Sequence, residues 1–143
     1  MAQDFQLHPQ LAADCIQVGR LPLSVLLLLN DARYPWFVLV PRCAAGTTEI
    51  FELAEADQQQ LWRESAQLAA FMKHAFHADK LNIGALGNLV PQLHVHHIAR
   101  FRNDPAWPGP VWGHSPPEPY EKHAISERVS MACDALGDLL VAY

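Results

Sequence analysis

Three histidines fall within four positions, His94, His96 and His97. Side chains on a strand alternate between two faces. Gln92, His94, His96, Ile98 and Arg100 therefore share one face, and Leu93, Val95, His97 and Ala99 the other. The second face is apolar apart from His97, which reads as a core-edge histidine with a hydrogen-bond partner. The first face carries two imidazoles and an amide. An imidazole titrates near ~6.5, so at neutral pH one ring can be an uncharged nucleophile while its neighbour donates a proton. Phosphoryl chemistry also needs donors around the equatorial oxygens. Gln92, Asn88, His96 and nearby backbone N–H groups are candidates. A solvated polar face and half of a metal site compete with this reading. A metal needs a third ligand, and the nearest carboxylate is Asp104. His8, His74, His77, His114 and His123 are scattered, so no metal site is expected.

The elements that must position this segment form a recognisable series. Residues 23–29 and 36–40 read as buried strands joined by the turn-forming Asn30-Asp31-Ala32-Arg33-Tyr34-Pro35, an antiparallel hairpin. A short strand is expected at 47–52. A helix over roughly 57–76 carries Leu61, Ser65, Leu68, Ala69, Met72 and Phe76 on one face, with Asp57 and Gln60 resembling a capping box. Strands are expected at Lys80 to Leu86 and at 92–101. The stretch 105–119 holds six of the eleven prolines and can only be a loop. Trp107 and Trp112 within it suit either a cap over a ligand or an anchor for the loop. A last helix is expected over about 120–142, weakened by about 1 kcal/mol at Gly137. The pattern is that of one α+β domain over residues 1–143, with an antiparallel sheet of about five strands, one long helix between strands and a carboxy-terminal helix.

Composition narrows the partners. Half of the 143 residues are hydrophobic and the net charge is −5. Nucleic-acid binding needs a basic footprint, and none is visible, so nucleic acid is not expected. Cys15, Cys43 and Cys133 are odd in number and widely spaced, which argues against a disulfide framework and suits a cytoplasmic location. Met1-Ala2-Gln3-Asp4 lacks the start of a signal peptide. The longest apolar run is far short of the ~20 residues that span a bilayer, so no membrane association is expected.

The segment Val90-Pro91-Gln92-Leu93-His94-Val95-His96-His97-Ile98-Ala99-Arg100 resembles the histidine triad (HIT) superfamily motif, with Gln92 in the first histidine's place. The order of elements from about 30 to 101 agrees. It includes Asn30, where the family has an asparagine at the nucleotide sugar, then Val38-Leu39-Val40-Pro41, then Leu81-Asn82-Ile83-Gly84. The resemblance implies a nucleotidyl hydrolase or transferase. It would act at the α-phosphate of a nucleoside phosphate ester, an anhydride such as a dinucleoside polyphosphate, or a phosphoramidate. It makes His94 the nucleophile of a covalent nucleotidyl-histidine intermediate and places His96 at the phosphate and bridging oxygens. Asn88 lies near a phosphate-binding glutamine of the family, and Arg100 could meet a phosphate from the histidine face. The resemblance implies no required cofactor, a divalent cation only with a polyphosphate, and a homodimer.

Two departures stand out. Gln92 replaces the first triad histidine, and Trp36-Phe37 stands where the family has Gly-His, with Phe37 in the histidine's position. The family's first motif carbonyl orients the nucleophile's ring, and Gln92 keeps a carbonyl. A shifted register, with His96 as nucleophile and Ile98 third, aligns less well. A nucleotide-binding module without catalysis and a metal-binding protein using His94 and His96 remain the alternatives.

Overall fold

The computed structural model describes residues 4–143; the Met1 to Gln3 part of the chain start lies outside the described residues. A short helix α1 (Pro9–Asp14) leads into β1 (Cys15–Arg20), β2 (Ser24–Leu29) and β3 (Trp36–Pro41). The long helix α2 (Glu55–Ala75) follows, then β4 (Lys80–Gly84), β5 (Val95–Arg100), α3 (Lys122–Leu136) and a short β6 (Val141–Ala142). The described residues form a six-stranded antiparallel sheet in the order β4-β5-β3-β2-β1-β6. The α+β class and the two helices agree with the expectation.

Strands β2 and β3 are buried on both faces, which is why they read as unbroken apolar runs. On one face α2 and α3 close over Leu26, Leu28, Phe37 and Leu39 through Leu68, Phe71, Met72 and Leu136. The other face carries Val38, Val40 and Ile98, covered by Leu11 of α1 and by Ala106 and Val111 of the proline-rich loop. One face is thus sealed by helices and the other by loop. Glu64, almost fully buried on α2, ties the helix to the sheet. Its carboxylate accepts the backbone N–H groups of Leu23 (2.7 Å) and Ser24 (3.0 Å). Charge-assisted bonds of this kind are worth about 1.5–3 kcal/mol each.

Several expected boundaries shift for local reasons. Residues 47–52 do not add a strand. The Glu52 carboxylate gathers the N–H groups of Thr48 (3.1 Å) and Glu49 (3.0 Å), and Ile50–Glu52 form a 3-10 turn instead. The expected capping box at Asp57 and Gln60 is absent. Helix α2 starts two residues earlier, with Ala54 as a cap that makes no side-chain bond, and Asp57 sits in the first turn, where the helix dipole favours an acid. Gly137 does not sit inside a helix that runs on to 142. It stops α3, with φ +53, a conformation that favours glycine. The freed chain then adds β6 beside β1. Strand β1 was not expected, and β4 ends at Gly84, before Leu86.

Candidate active site

The strand expected at 92–101 begins only at Val95, as β5, so Gln92 and His94 lie just ahead of it. The alternation of faces nevertheless holds. His96 and Ile98 face the loop-covered side, while His97 faces α2. The three histidines are buried, at 6%, 7% and 0% exposure for His94, His96 and His97.

Each ring has a distinct set of partners. His94 Nδ1 lies 2.7 Å from the Gln92 carbonyl. A carbonyl only accepts, so Nδ1 carries the proton and Nε2 keeps its lone pair. His96 Nδ1 lies 2.9 Å from Trp36 Nε1. Burial, then the neighbouring His94 and His97, push the His96 pKa down to about 3. His97 Nδ1 donates to the Val95 carbonyl (3.1 Å), and its Nε2 accepts from the Ser65 hydroxyl (2.7 Å). Burial brings the His97 pKa down to about 4 against the opposing pull of that carbonyl. The rings of His94 and His96 meet edge to face, with centroids 4.9 Å apart.

The remaining candidates separate. Gln92 meets His94 through its carbonyl, while its side-chain amide turns to the amino-terminal segment. There Oε1 accepts from the His8 N–H (2.8 Å) and Nε2 donates to the Gln6 carbonyl (2.9 Å). One N–H of its amide is thus committed to the amino-terminal segment. Asn30 lines a cavity and accepts the Tyr120 N–H (2.9 Å) through Oδ1. Asn88 is exposed on the turn after β4. Arg100 is a correction. It is 1% exposed and holds Asp104 with two bonds (2.8 and 3.0 Å), Asn82 Oδ1 (2.8 Å) and the Gly109 carbonyl (2.8 Å). Burial raises the Asp104 pKa, but bonds from Arg100 and the Phe101 and Trp107 N–H groups outweigh it and hold that carboxyl below its ordinary value. Arg100 pins the proline-rich loop and, at 1% exposure, does not open onto the histidine face. The Trp107 ring packs against its guanidinium (5.6 Å).

Two cavities flank the histidines. One of about 260 Å³ is lined by Thr48, Glu49, Leu86, Gly87, Gln92 and His94. A larger one of about 550 Å³ is lined by Asn30, Asp31, Arg33, Trp36, Val111 and Trp112, among others, and Leu86 borders both. The Trp112 ring stands edge to face against His96 (5.5 Å) and Trp36 (6.4 Å). Gly84, paired with His96 across the sheet, leaves room for it, since a Cβ there would come within 3.3 Å of that indole. The strap over the larger cavity is stitched down. Ala32 N–H donates to the Glu118 carbonyl (2.6 Å) and Arg33 reaches Ser115. Among the described residues no cluster of three or more His, Cys, Asp or Glu side chains is placed to hold a metal.

The HIT domain profile matches residues 10–103, well over half of the chain. The chain belongs to the histidine triad (HIT) family. A histidine triad protein from Marinobacter aquaeolei is 48% identical, with TM-score 0.91 over 94% of this chain and 98% of its own. Histidine triad proteins from Bradyrhizobium japonicum and Sinorhizobium meliloti are each 45% identical. Their TM-scores are 0.89 and 0.90, over 92% and 93% of this chain and 97% and 98% of theirs. No curated, functionally described protein matches. As a HIT protein the chain is an enzyme of the nucleotidyl hydrolase and transferase class, working through its clustered histidines.

The side chain beside the histidines in this HIT protein comes from Trp36, not from Phe37. Phe37, expected in the place of a family histidine, packs into the helix-covered core against Phe71 (5.8 Å). Trp36 is the residue on the histidine face. Strand parity carries that signal, because Trp36 pairs with Ile98 and Phe37 with His97.

Proposed function

We propose that His94 attacks the α-phosphorus of a nucleoside phosphate ester, anhydride or phosphoramidate. The observation that carries this is the 2.7 Å bond from His94 Nδ1 to the Gln92 carbonyl, which leaves Nε2 as the free lone pair of a neutral imidazole. A bond forms from Nε2 to phosphorus as the bond to the leaving group breaks, and the leaving group departs with the electron pair and takes a proton from solvent. The carbonyl supports the imidazolium that forms on His94. Water or another acceptor then attacks the nucleotidyl-histidine, loses its proton and returns His94 to its starting state. The variant triad is Gln92-Leu93-His94-Val95-His96, with Gln92 acting through its backbone and His96 offering Nε2–H to a phosphate oxygen. The register with His96 as nucleophile is disfavoured, because Ile98 is fully buried among apolar residues.

The larger cavity suits the nucleoside, with Trp36 and Trp112 as aromatic wall and Asn30 at the sugar. The smaller one suits the leaving group, with Asn88 on the adjoining turn. The nucleophile needs no metal, and a divalent cation would accompany a polyphosphate only. The −5 charge and free Cys15, Cys43 and Cys133 suit a cytoplasmic enzyme of small nucleotides that does not bind nucleic acid. No described helix is long and apolar enough to cross a membrane. A homodimer would form along the edge strand β4, where Ile83 and, just beyond the strand, Leu86 are exposed and Trp62 of α2 is 65% exposed. A panel of nucleoside phosphoramidates and dinucleoside polyphosphates tests the chemistry. Release of the nucleoside monophosphate by wild type and not by His94→Ala is expected, and equal turnover by both would refute the role of His94. A monomeric mass in solution would remove the dimer.

A further inference from the structure

His94 and His96 are two residues apart, yet the protein presents opposite chemical partners to their Nδ1 atoms. His94 Nδ1 meets a carbonyl, and His96 Nδ1 meets an indole N–H, 2.9 Å away with both groups buried. An indole nitrogen only donates, so His96 Nδ1 must accept. A neutral imidazole has one ring proton, and here it can sit only on Nε2. The pair is thereby set in opposite tautomers. His94 offers a lone pair at its free nitrogen, and His96 offers an N–H.

The donor is itself fixed. Trp36 opens β3 and pairs with Ile98 of β5, which puts its indole on the histidine face. Its ring is held edge to face by Tyr34 (6.3 Å) and Trp112 (6.4 Å) and meets the His96 ring at 5.6 Å and 66°. An unconstrained neutral imidazole exchanges its proton between both nitrogens. In the other tautomer two N–H groups would face each other at 2.9 Å, and a lone pair would point at the anionic phosphate.

We propose that Trp36 is a positioning residue of this enzyme, whose indole N–H locks His96 as a permanent Nε2–H donor to the phosphate. The inference rests on the role given above to His96 and deepens it. The histidine strand alone does not make an asymmetric pair, and the neighbouring strand supplies the asymmetry. Trp36→Phe keeps a smaller aromatic ring in place and removes the donor, and the nitrogen shifts of His96 report the loss of the donor separately from the loss of packing.

The test is imidazole and indole NMR on the ¹⁵N-labelled protein, read beside steady-state kinetics. In wild type we expect a protonated Nε2 and an unprotonated Nδ1 at His96, with a scalar coupling across the hydrogen bond to Trp36 Nε1. In Trp36→Phe the coupling disappears, the two His96 nitrogen shifts move toward each other, and kcat falls about tenfold, as for the loss of one hydrogen bond, with KM within about twofold. A wild-type His96 protonated on Nδ1, or without the coupling, overturns the lock even if the variant does not fold. A folded Trp36→Phe protein with unchanged kcat overturns its part in turnover. A correct tautomer in a protein that turns over no nucleotide would leave the lock standing and refute the catalytic assignment instead.

Discussion

The two faces of β5 use the same side chain for opposite purposes. His97, on the helix face, has both ring nitrogens occupied, by the Val95 carbonyl and the Ser65 hydroxyl. It is a satisfied polar pair in a core of Leu68, Phe71 and Met72. His94 and His96, on the loop face, each give one nitrogen to the protein and leave Nε2 without a protein partner. Burial lowers the basicity of both His96 and His97, so depth alone does not separate structure from chemistry. The count of nitrogens left over does, and so does the covering. Packed helices close one face, while a pinned loop beside two cavities closes the other.

The comparison breaks most visibly at His94. His94→Ala should lower kcat per folded molecule by about 10⁴-fold or more, the scale seen when a nucleophile is deleted. His96→Ala should cost about 10²–10³-fold in kcat, as for one donor at a developing oxyanion. A loss in KM alone would mean His96 only binds.

Acid sharpens the other half. The His97 pKa is about 4 when folded, against an ordinary 6.5, so the unfolded chain takes up the proton first. The stabilisation is complete above about pH 6.5 and is lost as pH falls toward 4. It amounts to on the order of 3 kcal/mol. Urea midpoints at pH 7 and pH 4.5 should differ, and the difference should shrink in His97→Gln. An equal difference in both proteins would place the acid sensitivity elsewhere. The smallest effect is expected from Ser65→Ala, which leaves His97 Nε2 unsatisfied. It should cost about 1–3 kcal/mol of stability with kcat per folded molecule unchanged. A changed kcat would mean that the helix face takes part in the chemistry.

Much of the site was legible because period-two alternation survives local irregularity. His94 and His96 still meet ring to ring even though β5 starts only at Val95. The misses were made by distant partners. Arg100 looks available until Asp104, Asn82 and Gly109 converge on it. Thr47 to Glu52 has strand composition, yet one carboxylate folds it into a turn. Strand β1 contains Gln17, Gly19 and Arg20 and becomes a strand by pairing with β2. The part played by Trp36 depends on which of two adjacent aromatic residues faces His96, and only the β3–β5 register decides that.

The most direct test is a rapid acid-free quench of enzyme with a nucleoside phosphoramidate, followed by intact mass and peptide mapping. A nucleoside monophosphate adduct on His94, absent from His94→Ala, is the predicted result. Turnover by wild type with an adduct on His96, or with none at any quench time under conditions that preserve phosphohistidine, would contradict His94 as the nucleophile.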